Sequence, residues 1–204
     1  MSTPFPRRAF LQHSAAMLAT AGYLATARGY AANETINVGC IGTGARCRQM
    51  MGHMKTIPGV KIVGVCDVWD VNVQKGLELA EPGAFSTKRH EELLAREDID
   101  AVFIGASDHW HVPLTIDACR AGKDVYVEKP LTHTLEEGES VIAAQRETQR
   151  VVQVGMQQRS MPHLIEARDL VAKGDLGEVI KVHLTWNRNT ERSPKSALQV
   201  DPAT

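Results

Sequence analysis

The sequence lacks the features that mark the unusual classes of protein. Its 204 residues carry 23 Lys and Arg against 24 Asp and Glu, so the formal net charge is −1 and neither sign is in excess. A nucleic-acid binder normally shows a basic excess, so we expect no nucleic-acid partner. Disordered chains are poor in apolar residues, whereas 43% of this chain is hydrophobic. The composition is that of an ordinary globular protein.

Acidic residues are also missing from the N-terminus, where three arginines are the only charged side chains before Glu34. A weakly apolar stretch, Ala15 to Ala27, is too short for a membrane helix, which needs about 20 residues, and fits the apolar part of a signal peptide. The preceding P-R-R-A-F-L-Q, with Arg7 and Arg8, resembles a twin-arginine signal. We expect residues 1–31 to direct export to the periplasm or medium by the twin-arginine machinery. The alternative is a basic or membrane-lying N-terminus; no later segment predicts a stable membrane span.

The four cysteines form no C-x-x-C pair, which argues against a zinc ribbon. Cys40 and Cys66 lie in apolar runs that predict buried strands, and Cys119 lies in a helical pattern. The twin-arginine route carries proteins that are already folded, so these thiols become buried in a reducing compartment. We expect all four, including Cys47, to be free.

Strand and helix patterns alternate along the chain. Short β-branched runs predict strands at Ile36–Ile41, Lys61–Cys66, Ala101–Ile104, Asp124–Val127 and Val151–Val154. Helical patterns lie between them, near Ala45–Thr56, Val71–Ala80, His90–Arg96, Val112–Ala121 and Leu135–Thr148. Wholly apolar strands are covered on both faces, as in parallel sheets. The order predicts an α/β fold, a doubly wound parallel Rossmann sheet over residues 32–155.

The pattern changes after Gly155. Met161–Lys173 predicts another helix, and the alternation in Glu178–Asn187 predicts a half-buried strand of an open sheet. A lone strand is not stable, and no second strand pattern follows. We therefore expect residues 156–204 to begin an α+β C-terminal domain that this sequence does not complete.

A glycine-rich turn follows the first strand and reads Gly42-Thr43-Gly44-Ala45-Arg46-Cys47. It is the dinucleotide-binding fingerprint with its third glycine replaced by cysteine. The first glycine permits the tight turn, and the second lets backbone amides approach a pyrophosphate, whose charge the following helix N-terminus attracts. Arg46 adds a candidate phosphate contact.

Asp67 ends the second predicted strand. A carboxylate at this position accepts hydrogen bonds from the adenosine ribose and repels a 2′-phosphate. We therefore expect NAD as the cofactor rather than NADP, while NADP stays open. A helix cap or loop acid is the alternative reading of this residue.

Four later segments, in order, resemble the Gfo/Idh/MocA family of oxidoreductases over about residues 35–204. They are S-D-H-W-H (Ser107–His111), D-V-Y-V-E-K-P-L (Asp124–Leu131), Q-V-G-M-Q-Q-R-S (Gln153–Ser160) and G-D-L-G-E-V-I-K-V (Gly174–Val182). Within the first three segments, Ser107–His111, Glu128–Lys129 and Gly155–Arg159 follow predicted strands, as the glycine turn and Asp67 do. Ligands bind at the carboxyl ends of such strands, so we expect these residues to converge on one crevice.

The resemblance implies roles for individual residues. Lys129 would contact substrate and take the hydroxyl proton during catalysis, Arg159 would meet substrate or a phosphate, and Pro130 would make a rigid, cis-prone turn. The cofactor contacts implied are Ser107, Asp108, His111, Glu128 and Gln157, with Trp110 packing on the cofactor. His109 and His111 form an H-x-H pair without a third ligand nearby in the sequence, so we expect no metal.

The function implied is hydride transfer to or from a sugar, cyclitol or glycoside carbinol by an NAD(P)-dependent oxidoreductase. One alternative is an NAD-dependent glycosidase of the same superfamily, which oxidises C3 transiently before elimination. Another is a non-catalytic cofactor-binding fragment. The family's D-x-x-x-H segment does not occur in this sequence, so we expect the chain to be inactive alone. The full-length protein is expected to be a homo-oligomer.

Overall fold

The computed structural model describes residues 35–185 of the chain. Its contacts divide the chain into two compact units, one reaching Met156 and the other starting at Gln157. The predicted export signal, residues 1–31, lies outside the described residues, as do residues 186–204.

The first unit contains a six-stranded parallel sheet with the strand order β3-β2-β1-β4-β5-β6. This order confirms the predicted doubly wound Rossmann fold, with β1 at the point where the chain reverses its progress across the sheet. The strands are β1 Ile36–Ile41, β2 Val60–Cys66, β3 Phe85–Thr87, β4 Ala101–Ile104, β5 Asp124–Glu128 and β6 Val152–Gly155.

Helices cover the sheet because successive strand side chains point to opposite faces and both sets are apolar. Cys40 of β1 belongs to one buried cluster, with Met51 and Val65, whereas its neighbour Ile41 belongs to the other, with Leu114. The helices of this unit are α1 Ala45–Met54, α2 Asp70–Leu77, α3 His90–Leu94, α4 His111–Arg120 and α5 Leu135–Thr148.

The second unit contains a 3₁₀ turn, Gln157–Ser160, and helix α6, Pro162–Lys173. The strand predicted at Glu178–Asn187 is wrong for its described part, because residues 178–185 have no regular secondary structure and are exposed. Alternating polarity suits a strand, but a strand also needs a neighbour to take its backbone hydrogen bonds. No strand is found between residues 157 and 185 to provide one.

All four cysteines are buried and none forms a disulfide. Burial raises the pKa of the Cys66 thiol to about 12 and also raises the pKa of Cys119. A hydrogen bond with Cys47, together with burial, raises the pKa of Cys40. These three thiols therefore stay protonated at neutral pH and are poor nucleophiles.

Cys47 occupies the position where the fingerprint normally has its third glycine, which allows the helix to pack closely on the sheet. Its side chain is fully buried. Gly105, the residue after β4, lies opposite, and a Cβ added there would be 2.9 Å from the Cβ of Cys47. The absence of a side chain at Gly105 thus leaves room for the side chain of Cys47, and α1 can still pack closely on the sheet.

Gly105→Ala should therefore destabilise the fold, by about 1–3 kcal/mol as overpacking usually does. The cost should be smaller when Cys47 is replaced by glycine in the same chain, because the opposing Cβ is then absent. Urea unfolding followed by circular dichroism measures both costs. An equal cost in the two backgrounds would show that these residues do not compete for space.

Candidate functional site

An open cavity of about 560 Å³ lies in the first unit at the carboxyl ends of β1, β2 and β4. Parallel α/β sheets bind their ligands at this edge. Six of the predicted site residues line the cavity, namely Gly42, Gly44, Ala45, Arg46, Asp67 and Ser107.

The glycine turn leaves room for an anion. Gly42 has φ +78°, and a Cβ there would lie 2.5 Å from the backbone of Ala106. Gly44 precedes α1, and a Cβ there would meet nothing within 4 Å. The first turn of α1 has no acidic residue to oppose its positive end. This open, positively polarised space fits the pyrophosphate of a dinucleotide.

A hydrogen-bond network fixes Asp67 in the cavity wall. Its Oδ1 accepts a bond from the Trp69 backbone N–H at 2.9 Å, and its Oδ2 accepts one from the Asn72 amide at 3.2 Å. The buried Thr43 hydroxyl donates to the Asn72 carbonyl at 2.9 Å and lies 3.5 Å from Oδ2 of Asp67. Arg48 donates to the Thr43 carbonyl and to Oδ1 of Asn72. The Asp67 carboxylate is thereby held in one position at the wall of the cavity.

An ion pair connects the glycine turn to the end of β5. Nε and Nη2 of Arg46 both lie 2.8 Å from Oε1 of Glu128. The other carboxylate oxygen of Glu128 accepts the Lys129 backbone N–H at 3.3 Å. The sequence offered Arg46 as a candidate phosphate contact, and the family resemblance implied that Glu128 contacts the cofactor. The structure brings the two together, so Arg46 neutralises a carboxylate that is only 6% exposed.

Lys129 follows β5 directly, and its side chain is exposed. Its peptide bond to Pro130 is cis. The predicted catalytic amine therefore lies at the same edge of the sheet as the cavity, one strand beyond β4.

The predicted residues in the loop after β4 differ from one another in their exposure. Asp108 is exposed at the start of a 3₁₀ turn, Asp108–Trp110. Trp110 lines the cavity, with the His90 and His109 rings at 6.4 and 6.1 Å. His111 is 1% exposed, so it has almost no surface to offer a cofactor.

The residues that line the cavity without having been predicted from the sequence include Trp69, Asn72 and His90. Trp69 and Asn72 follow Asp67 closely in the chain, and that proximity was the available signal. His90 begins α3. It is distant in the chain from the predicted site residues, so no sequence signal indicated its place in the cavity.

Gln157 and Arg159 belong to the second unit. Both are exposed in its 3₁₀ turn, Gln157–Ser160. Their predicted contacts with nicotinamide and substrate stay predictions.

Among residues 35–185, no group of three or more His, Cys, Asp or Glu side chains is arranged to hold a metal ion. No helix in this part of the chain has both the length and the apolar character to cross a membrane.

The sequence profile of the Gfo/Idh/MocA family, described as an oxidoreductase family with an NAD-binding Rossmann fold, matches residues 36–156. The chain belongs to this family. The family resemblance is therefore confirmed over residues 36–156, and the family is described as NAD-binding, in agreement with the predicted cofactor.

Relatives of two kinds are similar to this chain. A glycosyl hydrolase family 109 protein from Saccharopolyspora erythraea is 32% identical over 73% of this chain and 38% of its own length. An inositol 2-dehydrogenase from Salmonella typhimurium is 30% identical over 73% of this chain and 45% of its own. The crystal structure of myo-inositol 2-dehydrogenase from Lactobacillus plantarum superposes with a TM-score of 0.65, at 27% identity, over 72% of this chain and 43% of that one. The chain thus spans less than half of each relative.

The Arg46–Glu128 pair gives a prediction for stability. Arg46→Met should cost about 1–3 kcal/mol, less than the loss of a fully buried partner, because the Arg46 side chain is 38% exposed. The same change should cost less beside Glu128→Gln, which removes the charge that Arg46 neutralises. Urea unfolding of the four proteins measures the difference. If the two costs were equal, the pair would contribute nothing to the fold.

Proposed function

We propose that this chain binds NAD in the cavity of its first unit. We further propose that, joined to a complete substrate domain, it transfers hydride to or from a carbinol of a sugar, cyclitol or glycoside. The observation that carries the first proposal is the meeting of an open glycine turn with a fixed carboxylate, Asp67, in one cavity. The second rests on family membership and on the inositol dehydrogenase relatives.

The topology orients the cofactor within the cavity. A Rossmann sheet consists of two mononucleotide-binding halves on either side of the switch point. The ADP half belongs over β1 and β2, where the glycine turn receives the pyrophosphate and Asp67 the ribose. The nicotinamide half then lies toward β4 and β5, the side on which Glu128 and Lys129 end a strand.

Lys129 is the catalytic residue that we assign. A bound NAD supplies the hydride acceptor, so the remaining requirement is a base for the hydroxyl proton of the carbinol. The Lys129 amine accepts that proton while the carbinol carbon gives up its hydride. Glu128 orients the backbone of Lys129 through its N–H, and Arg46 holds Glu128 in turn.

The glycosidase reading is the second candidate, favoured by the similarity to a glycosyl hydrolase family 109 protein. In that reaction the cofactor is regenerated within each turnover. Cleavage of a glycoside without net formation of NADH would identify it. Accumulation of NADH with a free sugar or cyclitol would identify the dehydrogenase.

Other expectations also stand as proposals. We infer export by the twin-arginine route from Arg7, Arg8 and the apolar stretch after them. We infer homo-oligomerisation of the full-length protein from the family resemblance. We also infer that the 204-residue chain is inactive alone, as a cofactor-binding fragment would be, because it covers only 38% and 45% of the two curated relatives described above.

Asp67→Asn should weaken the preference for NAD over NADP. It removes the charge that accepts the ribose hydroxyls and repels a 2′-phosphate, while an amide oxygen still accepts the Trp69 N–H. We expect NAD⁺ affinity to fall about tenfold and NADP⁺ affinity to hold or rise, as measured by titration calorimetry on the chain. Asp70→Asn, at an exposed carboxylate paired with Lys88, is the control. If the Asp67 variant bound NAD⁺ and NADP⁺ with the same affinities as the parent chain, this role of Asp67 would be refuted.

Lys129→Ala should separate binding from chemistry. In a protein where this chain continues into a complete substrate domain, we expect the NAD⁺ dissociation constant to change less than about twofold. Hydride transfer should fall at least about 100-fold, as expected on losing a general base. NADH absorbance with a panel of inositols and sugars measures this, with Lys75→Ala on α2 as the control. Unchanged turnover in the Lys129 variant would remove our catalytic assignment.

A further inference from the structure

We propose that His111 is a positioning residue, which holds the Lys129–Pro130 turn in place for the nicotinamide half of the cofactor. This inference rests on the proposed function. It replaces the direct cofactor contact that the family resemblance implies for His111.

The His111 ring joins two loops that follow adjacent strands. Its Nδ1 lies 2.6 Å from the carbonyl oxygen of Pro130, in the turn after β5. Its Nε2 lies 3.1 Å from the carbonyl oxygen of Ala106, in the loop after β4. The ring is 1% exposed, so water does not compete for these contacts. One side chain therefore lies within hydrogen-bond distance of both loops.

The two contacts determine which side chains could replace the His111 ring. A carbonyl oxygen only accepts hydrogen bonds, so each contact needs an N–H on the ring. A neutral imidazole has one N–H and the imidazolium form has two, one on each side. The shorter contact, from Nδ1 to Pro130, is the one that reaches the turn of Lys129.

The turn needs this anchor because proline has no backbone N–H to donate. The Lys129 N–H is already directed to Glu128. The Pro130 carbonyl therefore provides the second fixed point of the turn, and His111 is its partner.

The other end of the bridge reaches the phosphate-binding turn. Ala106, which faces Nε2 of His111, lies so close to Gly42 that a Cβ on that glycine would be 2.5 Å from its backbone. His111 itself begins α4, and its carbonyl accepts the Thr115 hydroxyl at 2.7 Å. The ring thus ties the Lys129 turn to the part of the sheet that holds the pyrophosphate.

This arrangement predicts a selective loss of affinity. Loosening the turn after β5 should weaken contacts with the nicotinamide half of NAD⁺ and leave those with the ADP half intact. ADP is therefore the internal reference. It also separates a failure of this inference from a failure of the proposed function.

Three variants of the complete chain test the bridge. His111→Asn keeps an amide nitrogen near the position of Nδ1, within reach of Pro130. His111→Gln keeps one near Nε2, toward Ala106. His111→Phe keeps the bulk of a ring without either donor. Titration calorimetry gives the affinity for NAD⁺ and ADP, and amide hydrogen exchange of Lys129 and Leu131, on either side of Pro130, reports on the turn.

We expect the Phe and Gln variants to bind NAD⁺ about tenfold more weakly, the effect of one lost hydrogen bond of this kind, with ADP affinity unchanged. We expect the Asn variant to bind NAD⁺ within about threefold of the parent, since the bond that it keeps accounts for the effect. Amide exchange of Lys129 and Leu131 should be faster in the Phe and Gln variants than in the Asn variant.

Two results would overturn the inference. One is unchanged NAD⁺ affinity in folded Phe and Gln variants, and the other is an equal loss for NAD⁺ and ADP. Unfolding of all three variants, seen by circular dichroism, would also overturn it, because the ring would then serve the fold as a whole. If the parent chain bound neither ligand, the proposed function would fail, and the amide exchange of Lys129 and Leu131 would still decide whether His111 holds the turn.

Discussion

The parallel pairing of β1 with both β2 and β4 is the constraint on which the rest of the site depends. The register pairs Ile41 with Cys66 on one side and with Ile104 on the other. Three strands thus end level with one another, and the residues that follow them, Gly42, Asp67 and Gly105, meet at one edge. The cavity arises there because each strand turns away into a loop or helix. A shift of register on either side would separate the phosphate-binding turn from the carboxylate.

Close packing and charge pairing then fix the positions of the candidate site residues at this edge of the sheet. Gly42 lies against Ala106, and Cys47 lies against Gly105, so the β1 turn and α1 approach β4 more closely than larger residues allow. The buried carboxylate of Glu128 depends on Arg46 for its counter-charge. These contacts reach from the glycine turn to the Lys129 turn through the interior of one unit. The proposed binding turn and the proposed base are therefore positioned by the same set of contacts.

Local patterns allowed much of this to be predicted from the sequence. The apolar run Ile36–Ile41 has in the structure the bounds that the sequence predicted, and the glycine turn and Asp67 lie where their strands end. Strand β3, Phe85–Thr87, was missed because three residues with a single large apolar side chain carry no periodic signal. The strand predicted at Glu178–Asn187 failed because alternation does not reveal whether a partner strand exists. The pairing of Arg46 with Glu128 joins residues far apart in the chain, and the carbonyl partners of His111 are backbone atoms, so neither had a sequence signal.

Energy transfer from tryptophan to NADH is the most direct test of the central claim that the cavity of the first unit holds the cofactor. Trp69 and Trp110 both line that cavity. We expect NADH to show sensitised emission when the tryptophans of the chain are excited, and to lose at least about half of it when both residues are replaced by phenylalanine, since the rings remain but the indole donors do not. If NADH bound to that variant and energy transfer from tryptophan were undiminished, the cofactor would bind outside this cavity. The absence of any binding would contradict the account as a whole.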